Sequence, residues 1–307
     1  MKAGMSQPPM PIIVGAPRSG TTLMRFMLDS HPALAIPPET GFLPPVCDLS
    51  RRGEATPDAL FQLLTSFPPE TPFWRDFELD GSRFRQELKK IHPFEAAQGV
   101  RLFYQLYAER FGKIRFGDKT PLYCEHMQSI EELLPEAHFI HVIRDGRDAS
   151  LSLRPLWFAP GRDITTLAQY WKRMVCAGRA AARDVAAYLE VYYEALISNP
   201  EEQLKRICSF LSLPFDSKML HYWERTSERL REHKARVRPD GTEAISHDQR
   251  LSQQILTTCP PETQRINRWI REMTAQEQQE FLDVAGDTLT AFGYSGLLNH
   301  PSPTGLR

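Results

Sequence analysis

Residues 11–22, PIIVGAPRSGTT, constrain this chain most: an apolar strand runs through a glycine-bounded turn into a helix. Residues 11–14 are short, apolar and β-branched, as a strand buried on both faces of a parallel sheet must be. Gly15, Ala16 and Pro17 break the strand, and Leu23, Phe26 and Met27 then recur at helical spacing. A helix start presents free N–H groups and a positive dipole end to the preceding loop, so the turn selects an anion. Gly15 and Gly20 reproduce the G-x-x-x-x-G frame of a nucleoside-triphosphate loop. Thr21-Thr22 follows, however, where that pattern demands Lys then Ser/Thr. The conspicuous cation is Arg18, inside the loop.

Strand signals return at 114–116, 138–143 and 188–193, each ahead of a helical pattern. The alternation predicts an α/β fold, a P-loop type mostly parallel sheet flanked by helices. Between them, apolar residues at 60, 63, 64 and 67, at 84, 88 and 91, and at 100, 103, 104, 107 and 111 predict a helical insertion over 45–112. Asn199-Pro200 reads as a helix start, and Thr274 with Glu277 as a capping box opening a helix over 274–292. Residues 233–262 are polar, highly charged and carry Pro260-Pro261, which predicts a long loop or lid. Residues 1–10 read as a flexible N-terminus, and the whole of 1–307 as one domain.

Lys and Arg number 37 against 38 Asp and Glu, a formal net charge of −1, which excludes a generally basic nucleic-acid binder. Cys47, Cys124, Cys176, Cys208 and Cys259 are odd in number and widely spaced, so they read as reduced thiols. No stretch reaches the length of a membrane span and MKAGMSQPPMP lacks a leader's apolar run, so a cytoplasmic protein is expected. Oligomeric state is not legible.

Two segments resemble one family. PRSGTTLMRFMLDSHPALAIPPET (residues 17–40) is similar to the phosphosulfate-binding segment of sulfotransferases that use 3′-phosphoadenosine 5′-phosphosulfate (PAPS), closest to the tyrosylprotein sulfotransferases and their bacterial relatives. HVIRDGRDASLSL (residues 141–153) resembles the same family's 3′-phosphate strand and helix. The resemblance implies a 5′-phosphosulfate site at Arg18, Ser19, Gly20, Thr21 and Thr22, a 3′-phosphate site at Arg144 and Ser152, and Tyr193 beside the adenine. It also implies Arg268, in INRWIREM, as a further cofactor ligand, with PAP as product. Leu156 stands where the tyrosylprotein enzymes carry another arginine, and Arg154 is its nearest substitute. Arg147 and Arg154 otherwise read as a solvated helix face, and Ser246 and Ser252 as candidate contributors.

Sulfuryl transfer needs positioning, cations near the bridging oxygen and a base for the acceptor proton. The resemblance implies Glu39 as that base, with Lys119 and Arg18 stabilising charge on the phosphate side and Asp118 orienting Lys119. His31 and His126 stand as alternative bases. No acidic ligand cluster accompanies the loop, so no metal is expected. The acceptor hydroxyl is open among small-molecule, carbohydrate, lipid and peptide classes, with the insertion on the acceptor side. Gly41 replaces an arginine of the tyrosylprotein pattern, which counts against a peptide. A P-loop nucleotide kinase or NTPase, and a non-catalytic adenosine-phosphate binding module, are the competing readings.

Overall fold

The computed structural model describes residues 7–294. The expected flexible terminus therefore lies largely outside the described residues, and Met10 already belongs to the first strand. Four strands, β1 (Met10–Val14), β4 (Asp118–Lys119), β5 (Ala137–Ile143) and β6 (Tyr188–Tyr192), form a parallel sheet in the order β4-β1-β5-β6. Two shorter strands, β2 (Leu34–Ala35) and β3 (Arg115–Phe116), pair parallel beside it. β1 is buried throughout, so its side chains alternate between two cores. Ile12 and Val14 join Phe139, Ile143, Trp171 and Phe281 on one face, while Ile13 joins Ile140, Val142, Met24 and Leu28 on the other.

The first face is covered by the long helices Ile164–Ala181 and Ala275–Ala291, the second by Thr21–Asp29 and Pro200–Phe210. Thr274 caps its helix with the reciprocal Glu277 contact. Asn199 stands at its helix start without a side-chain cap bond. The insertion folds as helices Leu43–Arg51, Pro57–Ser66, Trp74–Phe77, Gly81–Leu88 and Ala96–Glu109. Its aromatics interlock edge to face, Phe103 lying 5.0 Å from both Phe42 and Phe77, and they are continuous with the core of the first face.

Residues 233–262 are more structured than a bare loop. They contain a two-stranded antiparallel ribbon, Arg236–Val237 with Glu243–Ile245, a helix His247–Ser252 and a 3₁₀ turn Ile255–Thr258. Distant ion pairs hold this segment: Arg236 and Arg250 meet buried Asp76 at 2.9 and 2.7 Å, and Lys234 meets Glu78.

Candidate active site

All four strands of the main sheet deliver a candidate residue at their carboxyl ends, where open parallel sheets bind ligands. β1 leads into the turn of Arg18, β4 ends on Lys119, β5 precedes Arg144, and β6 precedes Tyr193, the first residue of a short helix. The turn is conformationally demanding. Arg18 has φ 68° and Gly20 φ 99°, and a Cβ on Gly20 would lie 2.5 Å from the Tyr193 ring. A Cβ on Gly15 would meet the Val142 carbonyl at 2.4 Å, so the turn lies directly against β5. No side chain caps the helix Thr21–Asp29 and no acid occupies its first turn, so its N–H groups are open toward the loop.

Arg265 of this cleft meets Glu262 at 3.3 Å, but among the described residues Arg18 and Arg144 have no ion-pair partner. Arg144 is 5% exposed, stacks 4.4 Å over Tyr193 and donates to the carbonyls of Arg18 (3.2 Å) and Arg265 (3.0 Å). Arg18 donates to Ser152 Oγ (3.2 Å) and the Gln253 carbonyl (3.3 Å). Among the described residues no carboxylate pairs with either. The rival partners are engaged elsewhere: Asp145 holds Arg147 at 2.7 Å, and Asp148 accepts from the Trp269 N–H at 2.9 Å. Burial, with Arg144 and Arg265 close by, pulls the Arg18 guanidinium down to about 10. Ser19 Oγ and Arg144 Nε are buried without a partner. Cations and donors assembled at this cost call for an anion.

A second chamber, about 390 Å³, opens on the other side of the turn and shares Arg18, Thr21 and Thr22 with the first. Glu39 and Lys119 lie on it, with Phe73, Tyr170, Trp157 and Phe158 as apolar walls and rim. Lys119 Nζ meets Glu39 Oε1 at 2.5 Å and lies 3.4 Å from Thr22 Oγ1. The Glu39 side chain is 46% exposed, and what desolvation it has is outweighed by Lys119, then Arg236 and Arg250, which hold the carboxyl below its ordinary value. Burial lowers Lys119 despite Glu39.

Several expectations change. Asp118 does not orient Lys119, because consecutive strand residues point to opposite faces. Its carboxylate instead accepts from Thr40 Oγ1 (2.7 Å) and the Tyr104 hydroxyl (2.8 Å), fixing the residue after Glu39. Arg147 is no solvated residue: it is buried against Asp145 with its guanidinium 3.6 Å over Trp269. Arg154 pairs with Glu277 at 2.8 Å and does not replace the contact absent at Leu156. Arg268 is bound by Glu272 at 2.7 Å and does not line the cleft; Arg265 does. Asn267, at φ 58°, reverses the chain between the two. Ser246 caps its own helix and Ser252 bonds the Gln249 carbonyl.

Neither alternative histidine reaches the site. His31 is buried between the Pro214 carbonyl and the Ala33 N–H, and His126 is exposed at a helix start. The sequence reading missed His233, Arg236, Arg250 and Arg265. The basic run EHKARVR is the one local signal there, and charge runs more often mark solvated loops.

Comparison with known proteins gives a family and a fold. A family model described as "Sulfotransferase family" matches residues 9–217. The protein-tyrosine sulfotransferase of Drosophila melanogaster is 26% identical over 302 residues, covering 95% of this chain and 53% of that protein. Protein-tyrosine sulfotransferase A of Caenorhabditis elegans is 25% identical, covering 96% and 69%. The chain thus spans about half the length of the fly relative. The sulfotransferase domain from the Synechococcus PCC 7002 olefin synthase shares the fold at TM-score 0.58 and 22% identity, covering 94% of this chain and 97% of that one.

Proposed function

The chain belongs to the sulfotransferase family, and from that premise we propose that it moves a sulfuryl group from PAPS to an acceptor hydroxyl. The observation that carries this reading is the junction of two chambers at Arg18, Thr21 and Thr22: anion-seeking arginines on one side, the Glu39–Lys119 pair on the other. The donor-side residues fit two separate anions. Arg18, Ser19, Thr21, Thr22 and the open N–H groups after Gly20 would hold the phosphosulfate. Arg144 and Ser152 would hold the 3′-phosphate, with Tyr193 beside the adenosine. PAPS, when bound, supplies an activated sulfuryl group on a phosphate leaving group.

Lys119 lies within reach of both Glu39 and the loop hydroxyl of Thr22. Turned toward the leaving oxygen, it would neutralise charge there and leave Glu39 a free carboxylate for the acceptor proton. Arg18, whose backbone the turn fixes, adds a second cation at the same point. Protein cations thus meet the charge, and transfer is expected to survive EDTA. For the acceptor, the fly and nematode relatives are named for protein tyrosine. Phe73, Tyr170, Trp157 and Phe158 support a hydroxyl on an aromatic or otherwise apolar body. Five cysteines without a disulfide support a reducing, cytoplasmic setting.

The test is calorimetry with PAP against 5′-AMP, then transfer from labelled PAPS to a panel of phenols, tyrosine peptides, sugars and lipid alcohols. PAP is expected to bind far more tightly than 5′-AMP. Equal affinities would remove the two-anion reading.

A further inference from the structure

His233 lines the acceptor chamber with Glu39 and Lys119 and is 7% exposed. Its backbone carbonyl meets His247 Nδ1, while no protein hydrogen bond to its ring is found among the described residues. A buried imidazole normally has a partner for at least one nitrogen. The cations around this ring disfavour its charged form. Burial and the charges of Arg250, Arg25, Lys119 and Arg236 all hold the ring in its neutral form, while Glu39 is occupied by Lys119. A neutral ring offers one N–H donor and one acceptor.

The chain on either side of His233 is held in place. Glu232 is gripped by Arg25 (3.3 Å), Arg229 (2.7 Å) and Arg110 (3.2 Å) and accepts from the Tyr107 hydroxyl. On the other side Arg250 donates to the Lys234 carbonyl and Arg236 is locked to Asp76. An unpartnered donor on so fixed a segment, beside the base, suits a ligand group.

We propose that His233 orients the acceptor hydroxyl, its ring N–H donating to the acceptor oxygen while Glu39 takes the proton. This assignment rests on the sulfuryl-transfer reading. The O–H electron pair stays on the acceptor oxygen and the new oxygen–sulfur bond forms. The sulfur–oxygen bond to phosphate breaks with its pair on the phosphate, and the proton ends on Glu39. His233 keeps its own proton throughout.

The experiment uses the full chain with PAP, PAPS and 2-naphthol, an uncharged phenol sized for the chamber. His233→Ala is expected to lower kcat/KM for 2-naphthol about 10–100-fold, with PAP affinity by calorimetry within about twofold of wild type. His233→Asn or His233→Gln, each restoring an N–H donor, should recover part of the loss without altering the shape of the pH profile of kcat. In the PAP-loaded protein, the His233 ring signal, identified by its loss in His233→Ala, should shift on adding 2-naphthol. Wild-type kcat/KM in His233→Ala, or an unmoved ring signal, would overturn the assignment alone. A parallel fall in PAP affinity would overturn it too, as the mark of a collapsed cleft. A wild type that binds no PAP removes the sulfuryl-transfer reading and the assignment with it.

Discussion

Glu39 and Lys119 illustrate how one residue's state depends on another's. As paired in this structure, the carboxylate is ionised but occupied, and the ammonium is buried against its own desolvation cost. Glu39→Gln keeps the shape and removes the basicity, so kcat should fall about 10²–10⁴-fold. PAP affinity should hold or tighten slightly, since Lys119 loses its internal partner. Steady-state kinetics and calorimetry on the same preparation separate the two effects, and near-normal turnover would displace Glu39 from the role. Arg144→Ala tests the other anion site. It should weaken PAP by about 1.5–3 kcal/mol and leave 5′-AMP almost unchanged, because a charge-assisted contact to the 3′-phosphate is the difference between them. Equal losses for both nucleotides would mean that Arg144 acts only through Tyr193 and the loop carbonyls.

At the scale of elements, the donor cleft is narrow. It offers about 100 Å³, below the roughly 300 Å³ at which pockets for drug-sized ligands begin. The carbonyls of Gln253 and Arg265 occupy donors on Arg18 and Arg144 that phosphates would claim. Ligand must therefore exchange with the segment 253–265, and PAP is expected to change amide exchange there while leaving the helix Pro200–Phe210 as it was. Hydrogen-exchange mass spectrometry reads this directly, and an unaltered 253–265 would mean that the phosphates bind elsewhere. The same segment marks the limit of what the sequence discloses. The phosphate turn is legible because glycines, hydroxyls and one arginine are local to it, and the strand–helix alternation shows the sheet. His233, Arg236 and Arg250 are not legible, because Asp76 and Glu78, far away in sequence, bring them to the chamber. The choice of Arg265 over Arg268 turns on one left-handed residue, Asn267. The direction of Asp118 follows from strand alternation, but a two-residue strand gives no pattern from which to read it.

For the whole molecule, Glu194 ties distant parts together. Its carboxyl accepts from the Asp145 N–H at 3.0 Å, just after Arg144, and from the Tyr294 hydroxyl at 2.9 Å, at the end of the described chain. Burial, with the charge of Asp145 adding to it, pushes this carboxyl up to about 7 from 4.5, against the opposing Asp145 hydrogen bond. A carboxyl raised in the folded state binds its proton more tightly there than in the unfolded chain. Its contribution is fully present below pH 4.5 and is lost as pH rises through about 7. Asp118 and Asp148, both raised by burial to about 6, lose stability in the same direction. Lowered carboxyls such as Asp29, where Arg229 and Lys113 outweigh burial, act oppositely and below the ordinary aspartate value of 3.8. Between pH 5 and 7.5 the raised carboxyl lowers stability as pH rises, while His141 and His233, held neutral by burial, raise it up to about pH 6.5, so the mark of Glu194 is the difference between wild type and a variant that cannot ionise. Glu194→Gln cannot ionise and keeps an acceptor, so it should remove a fall on the order of 2–3 kcal/mol from that window. Thermal denaturation of both proteins across this pH range checks the sign. A variant whose pH dependence matches that of the wild type would show that Glu194 is not the group whose ionisation loosens the junction of sheet, donor cleft and C-terminal helix.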